Sequence, residues 1–202
     1  AAAAQVIGLP VLQNGFVAPG IAGAVNVGLG DEFAAYVATG AWTPGVGLAR
    51  VQLSVGVGAA VPDQGSTVLT VGARVAVPVT TPWTGRPASR FGLTPFIGFG
   101  GLRVSGVTQT YVPLGVSVAW RGVIGAERVI SVYASPFYGW NRASANAEPA
   151  TDRGLIRLGL GLDVTLVRAF GVTVGYELGA TADEGEPGAT GGIVGLGVAY
   201  VF

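Results

Sequence analysis

Ionisable side chains are scarce in this chain, so each one inside an apolar stretch raises the question of its partner. Arg50, Arg74, Arg157, Asp163 and Glu177 all lie in stretches where bulky aliphatic residues alternate with small ones, and all five share the parity of the small residues. A charge held there without a partner is costly. The chemistry expected is therefore ion pairing inside a confined space. If residues 154–166 and 170–180 form a hairpin through Val167-Arg168-Ala169, Glu177 falls opposite Gly159 and diagonal to Arg157, within reach of a long side chain. An Arg157–Glu177 pair follows. The same reasoning sets Arg74 opposite Ser54, with no acid near it on its own hairpin. In a closed ring Arg50 and Arg74 would then face Asp163 and Glu177 across the interior. Such a field either plugs a narrow interior or lines a small aqueous passage.

Other constellations carry less. Gly98-x-Gly100-Gly101 is not a phosphate loop, because no helix follows it. Asp183-Glu184-Gly185-Glu186 could offer oxygens to a divalent cation, but a solvated acidic loop accounts for it as well. The chain has no Cys and no His. That removes thiolate chemistry, zinc–thiolate sites and the commonest general base and metal ligand. The expectation is no catalytic residues, no cofactor, no metal and no enzymatic activity.

The elements that must position these charges are read from alternation. The last ten residues place Val194, Leu196, Val198, Tyr200 and Phe202 on one strand face and Gly195, Gly197 and Ala199 on the other. Neither face carries a charge. Ten segments of this kind are predicted, near 16–29, 32–43, 48–61, 66–79, 91–104, 108–121, 127–140, 154–166, 170–180 and 191–202. Along most of them one face is branched or aromatic, and the other is Gly, Ser, Thr or a rare charge.

Composition decides which face points where. Half of the 202 residues are hydrophobic and 11% are charged, against roughly 25% charged in ordinary soluble domains. A Gly-rich outer face with so few charges would not keep a soluble barrel dispersed. Turned the other way, aliphatic side chains meet acyl tails and the few charges meet each other inside. No spanning helix fits, since Pro10, Gln13, Asn14, Gly15, Pro19, Gly20 and Asn26 interrupt the one uncharged candidate, residues 1–30. Equal numbers of basic and acidic residues give no basic surface for nucleic acid. Ala1–Gln5 is compatible with the end left by a removed signal peptide or with an arbitrary boundary.

The fold expected is all-β: an antiparallel up-and-down transmembrane barrel of ten strands spanning 16–202, with 1–15 as an N-terminal arm. The alternative is eight strands with residues 1–43 as an arm or plug. Trp42, Trp83, Trp120, Phe170, Tyr200 and Phe202 then mark one rim, and Tyr138 and Trp140 the other, where aromatic rings suit the headgroup level. With an even strand number both termini share a side, expected to be the periplasm.

The chain resembles the small outer-membrane β-barrel superfamily of Gram-negative envelopes, the OmpA-like transmembrane barrels. The resemblance is carried by the terminal Val194-x-Leu196-x-Val198-x-Tyr200-x-Phe202, by Leu93–Gly100, and by Gly161–Val164 with Gly171–Tyr176. It implies an integral place in the bacterial outer membrane and contact with the lipid bilayer and lipopolysaccharide. It also implies that the barrel-assembly machinery reads the C-terminal strand. It does not settle activity, because fold does not fix function. A structural role or a narrow passive pore is the first expectation. The alternative is an envelope anchor, adhesin or accessory subunit whose extracellular loops bind a partner protein, including a homo-oligomer.

Overall fold

Alternating bulky and small residues dominate the sequence, and the chain answers with strands alone. In the computed structural model, described for residues 6–17, 20–31, 33–44, 51–82, 90–104, 106–124, 128–145, 149–167, 169–179 and 192–202, eleven strand segments follow in order. They are β1 (Gly20–Leu29), β2 (Phe33–Thr43), β3 (Gln52–Pro62), β4 (Val68–Ala76), β5 (Val79–Pro82), β6 (Arg90–Val104), β7 (Val107–Ile124), β8 (Arg128–Ala145), β9 (Thr151–Val167), β10 (Phe170–Leu178) and β11 (Ile193–Val201).

Apart from β4 and β5, which do not pair with each other, each strand pairs antiparallel with its sequence neighbours, and β1 pairs with β11. β4 and β5 both pair with β6, so they act as one stave and the ring closes with ten. Pro78, which has no N–H to give a ladder, lies in the two-residue break between them. Closure leaves no sheet edge, which a chain in lipid requires. The ten expected segments are all present. β1 begins at Gly20 rather than at 16, and Phe16 instead lies buried in the segment that precedes it. β7, β8 and β9 run to 18, 18 and 17 residues, well beyond the roughly 9–11 that crossing a bilayer needs.

The bulky face points outward. Leu160, Val174 and Val198 are each 40% or more exposed, whereas Gly195, Gly197 and Thr173 on the opposite parity are buried. Along β8 the outward positions from Ile130 to Trp140 carry no charge, and exposed Arg128 and Arg142 bracket them. Ten rises of ~3.3 Å, tilted by ~40°, give a band ~25 Å tall, the height of a hydrocarbon-facing belt. On β6 and β9 the exposed charges Arg103 and Asp152 likewise sit at strand ends.

Inside, the wall is not uniformly slender. Tyr111, Tyr133, Phe96 and Phe137 are all buried in the interior. Each tyrosine ring lies over a glycine: a Cβ on Gly139 would fall 2.8 Å from the Tyr111 ring, and one on Gly161 would fall 2.1 Å from that of Tyr133. The cross-strand glycine supplies the space that the ring fills.

Candidate functional site in the barrel lumen

Residues 6–17, Val-Ile-Gly-Leu-Pro-Val-Leu-Gln-Asn-Gly-Phe-Val, have no two-residue or helical period and form no strand. Gly8 has a φ of 96°, a backbone state that a side chain disfavours. Leu9 N donates to Val6 O at 3.1 Å, and Leu12 N donates to Pro10 O at 2.9 Å. This segment threads the lumen: Val6, Leu9, Val11, Leu12, Gln13, Asn14 and Phe16 are all buried. It runs from the β1–β2 turn, where Gly8 lies against Ala35, to the opposite end, where Gly15 lies against Gly92 and Ala119.

A buried, irregular backbone must find hydrogen-bond partners outside itself. Wall side chains supply them. Thr70 Oγ1 donates to Ile7 O at 3.4 Å, Thr94 Oγ1 to Gly15 O at 3.0 Å, and Ser135 Oγ to Gln13 O at 2.9 Å. Ser117 Oγ donates to the same Gln13 carbonyl. Arg74 Nη1 donates to Leu12 O at 3.4 Å. Val11 N donates to Glu177 Oε2 at 2.6 Å, and Asn14 Nδ2 to Asp163 Oδ2 at 2.5 Å. Inward glycines give the backbone its clearance. A Cβ on Gly159 would stand 2.2 Å from Val11 O, and one on Gly28 2.1 Å from Gly8 O.

The lumenal charges are thus divided between each other and the arm. β10 pairs with β9 so that Glu177 sits opposite Gly159, the register that the sequence implies. Arg157 Nε lies 2.7 Å from Glu177 Oε1, with side-chain exposures of 10% and 3%. Asp163 accepts from Asn14 and, at 2.7 Å, from Thr173 Oγ1. Arg74 sits opposite Ser54 and over the Phe96 ring at 5.9 Å. It turns to the Leu12 carbonyl rather than to an acid across the lumen. Arg121 stacks over Phe16 at 4.2 Å. Arg50 lies outside the described residues, as does the Asp183–Glu186 loop. Among the described residues no group of three His, Cys, Asp or Glu could hold a metal ion.

Sequence reasoning gave no role to Thr70, Thr94, Ser117 or Ser135, nor to the inward aromatics. Parity was the available signal for all of them, since each shares its strand's small-residue face.

On the outside, Trp42, Trp120, Tyr200 and Phe202 are exposed near the end of the barrel that holds the C-terminus. Phe170 is paired with Tyr200 there. The Tyr200 and Phe202 rings meet edge-on at 5.1 Å. Tyr138 and Trp140 lie toward the other end, and Trp83 is outside the described residues. Val194, Leu196, Val198 and Tyr200 project outward from β11.

One cavity of about 330 Å³ opens at the end of the lumen near the β1–β2 turn, above the Arg157–Glu177 pair.

No protein-family model matches this sequence, and no curated protein matches it. Among solved structures, LpxR from Salmonella typhimurium aligns over 84% of this chain and 73% of its own, with a TM-score of 0.51 and 11% identity. A second chain, described as "Unveiling the Mechanism Behind the in-meso Crystallization of Membrane Proteins", covers 90% of this chain and 83% of its own at 14% identity. Its TM-score is 0.39. The likeness to LpxR corrects the expectation of no enzymatic activity. LpxR is an outer-membrane lipid A deacylase, so a barrel of this fold can carry an enzyme. The fold gives no ground for excluding catalysis here, and the missing histidine removes imidazole chemistry alone. At 11% identity the likeness speaks to fold only: the chain has the fold of an outer-membrane β-barrel, without the OmpA-like superfamily being distinguished within it.

Proposed function

We propose that this chain is an integral barrel of a bacterial outer membrane, sealed along its axis by its own N-terminal segment, and that it serves as a closed membrane scaffold rather than an open passive pore. The observation that carries this reading is the set of wall-to-arm hydrogen bonds. Eight wall side chains from six staves hold the backbone or side chains of residues 7–15. The charge-free outer band supports placement in lipid, with Trp42, Trp120 and Tyr200 suited to one headgroup level and Tyr138 and Trp140 to the other. Lipopolysaccharide would then surround one leaflet of the barrel. β11, which joins both β1 and β10 and is followed by the aromatic Phe202, suits recognition by the barrel-assembly machinery. Planar-bilayer recording tests the reading: the intact chain should give no unitary current steps, and regular steps from it would reject the scaffold in favour of the pore.

A second reading is favoured by the long β7–β8–β9 staves. Their upper ends leave the apolar band and carry Arg142 and Asp152, 3.9 Å apart and both half-exposed. A partner protein could dock on this polar extension, making the barrel an envelope anchor. Shortening the β8–β9 connection should then abolish partner retention while leaving barrel folding intact.

A further inference from the structure

We infer that the cavity above the arm is a binding site for a small single-chain amphiphile with an oxygen-acceptor head, such as a medium-chain carboxylate. Its walls are sorted by polarity. The apolar side comes from the arm and from β2, β4, β6 and β11, through Leu9, Phe33, Val68, Leu102 and Ile193. The polar side comes from β7, β8, β9 and β10, which are contiguous in the barrel. There Gln109, Asn141, Arg157 and Glu177 supply amides and an ion pair. A molecule that fits must therefore be apolar along one flank and polar at one place.

Size and hydrogen bonding narrow the class. A volume of about 330 Å³ equals about eleven water-sized groups, so a chain of about ten non-hydrogen atoms fills it. Cavities of this volume lie at the small end of ligand pockets. Glu177 already accepts from Arg157 and from Val11 N. On Arg157, Nη2 has no hydrogen-bond partner, and neither does the Tyr111 hydroxyl, though both are buried. Glu177 is engaged, while Arg157, which can only donate, keeps an unpartnered N–H, so the arrangement favours an acceptor head and disfavours a cationic one.

The site depends on the seated arm, because Ile7, Gly8 and Leu9 form part of its wall. Binding and conductance are nevertheless read separately, so failure of one is not failure of the other. The test uses the whole chain in lipid nanodiscs, with saturation-transfer NMR of octanoate, octanol and octylammonium, and empty nanodiscs as the blank. Octanoate should bind saturably and be displaced by octanol, and octylammonium should not compete. Leu102→Trp, which fills the apolar flank, should abolish saturable binding, and Val68→Phe should do the same if the first variant fails to fold. Octanoate signals no greater than those of empty nanodiscs would overturn the proposal. So would binding unchanged by a folded flank-filling variant, or equal binding of octylammonium.

Discussion

The Arg157–Glu177 pair allows the plugged lumen to be tested as an energetic claim. Glu177→Leu removes the acceptor of two interactions at once: the guanidinium at 2.7 Å and the Val11 amide at 2.6 Å. With side-chain exposures of 10% and 3%, both partners are held largely out of water, beneath the cavity that opens at that end of the lumen. Stranding a buried charge by removing its partner costs about 3–5 kcal/mol. Leaving a buried N–H without an acceptor costs a further 1–3 kcal/mol or so. The single variant should therefore lose about 4–8 kcal/mol of folding stability, a large part of the roughly 5–15 kcal/mol typical of folded domains. The double variant Arg157→Met/Glu177→Leu replaces the pair by apolar groups of similar size and retains only the amide penalty, about 1–3 kcal/mol. Reversible guanidinium unfolding from lipid vesicles, followed by tryptophan emission, measures all three proteins. The double variant should be more stable than the Glu177→Leu single variant by several kcal/mol. If it is equally unstable or worse, the pair is not the buried, mutually dependent unit described above.

Further expectations concern the arm and the belt. Gly159→Leu places a side chain where a Cβ alone would stand 2.2 Å from Val11 O. The arm should be displaced, and protease should cut within residues 6–17 while strand content by circular dichroism stays unchanged. Protection equal to that of the parent would count against the threaded arm. Val174→Arg sets a cation at the middle of an outward strand face. It should cost about 2–4 kcal/mol of stability in vesicles, and a neutral outcome would argue against lipid at that face.

The barrel was legible in the sequence because its wall separates two environments along every stave. Val172, Val174 and Tyr176 alternate with Thr173, Gly175 and Glu177, and the parity survives small errors in strand boundaries. The β9–β10 register was legible only in part: Val167, expected in the turn, pairs with Phe170, and a bulge at Phe170/Gly171 restores Glu177 to its place opposite Gly159. The arm's route was not legible. Residues 6–17 have no period, and their partners lie far away in sequence: Gln13 meets Ser117 and Ser135, and Asn14 meets Asp163. Inward glycines leave volume that either water or the arm of residues 1–15 could take, and a glycine alone does not say whether water, a ring or a backbone fills the space beside it. Gly161 takes the Tyr133 ring, Gly159 the Val11 carbonyl. Nor did the missing histidine carry the functional weight placed on it, since absence of one side chain excludes only the chemistry of that side chain.

The orientation of the two faces is tested most directly by cross-relaxation between lipid acyl-chain protons and assigned methyl groups, measured by NMR on the unmodified chain in nanodiscs. Leu160, Val174 and Val198 methyls should show strong lipid cross-peaks. Those of Val11, Leu12 and Thr173 should show none, with Val11 instead seeing the Gly159 backbone. Lipid cross-peaks at Val11 and Thr173, with none at Val174 and Val198, would mean that the barrel is turned inside out relative to this description.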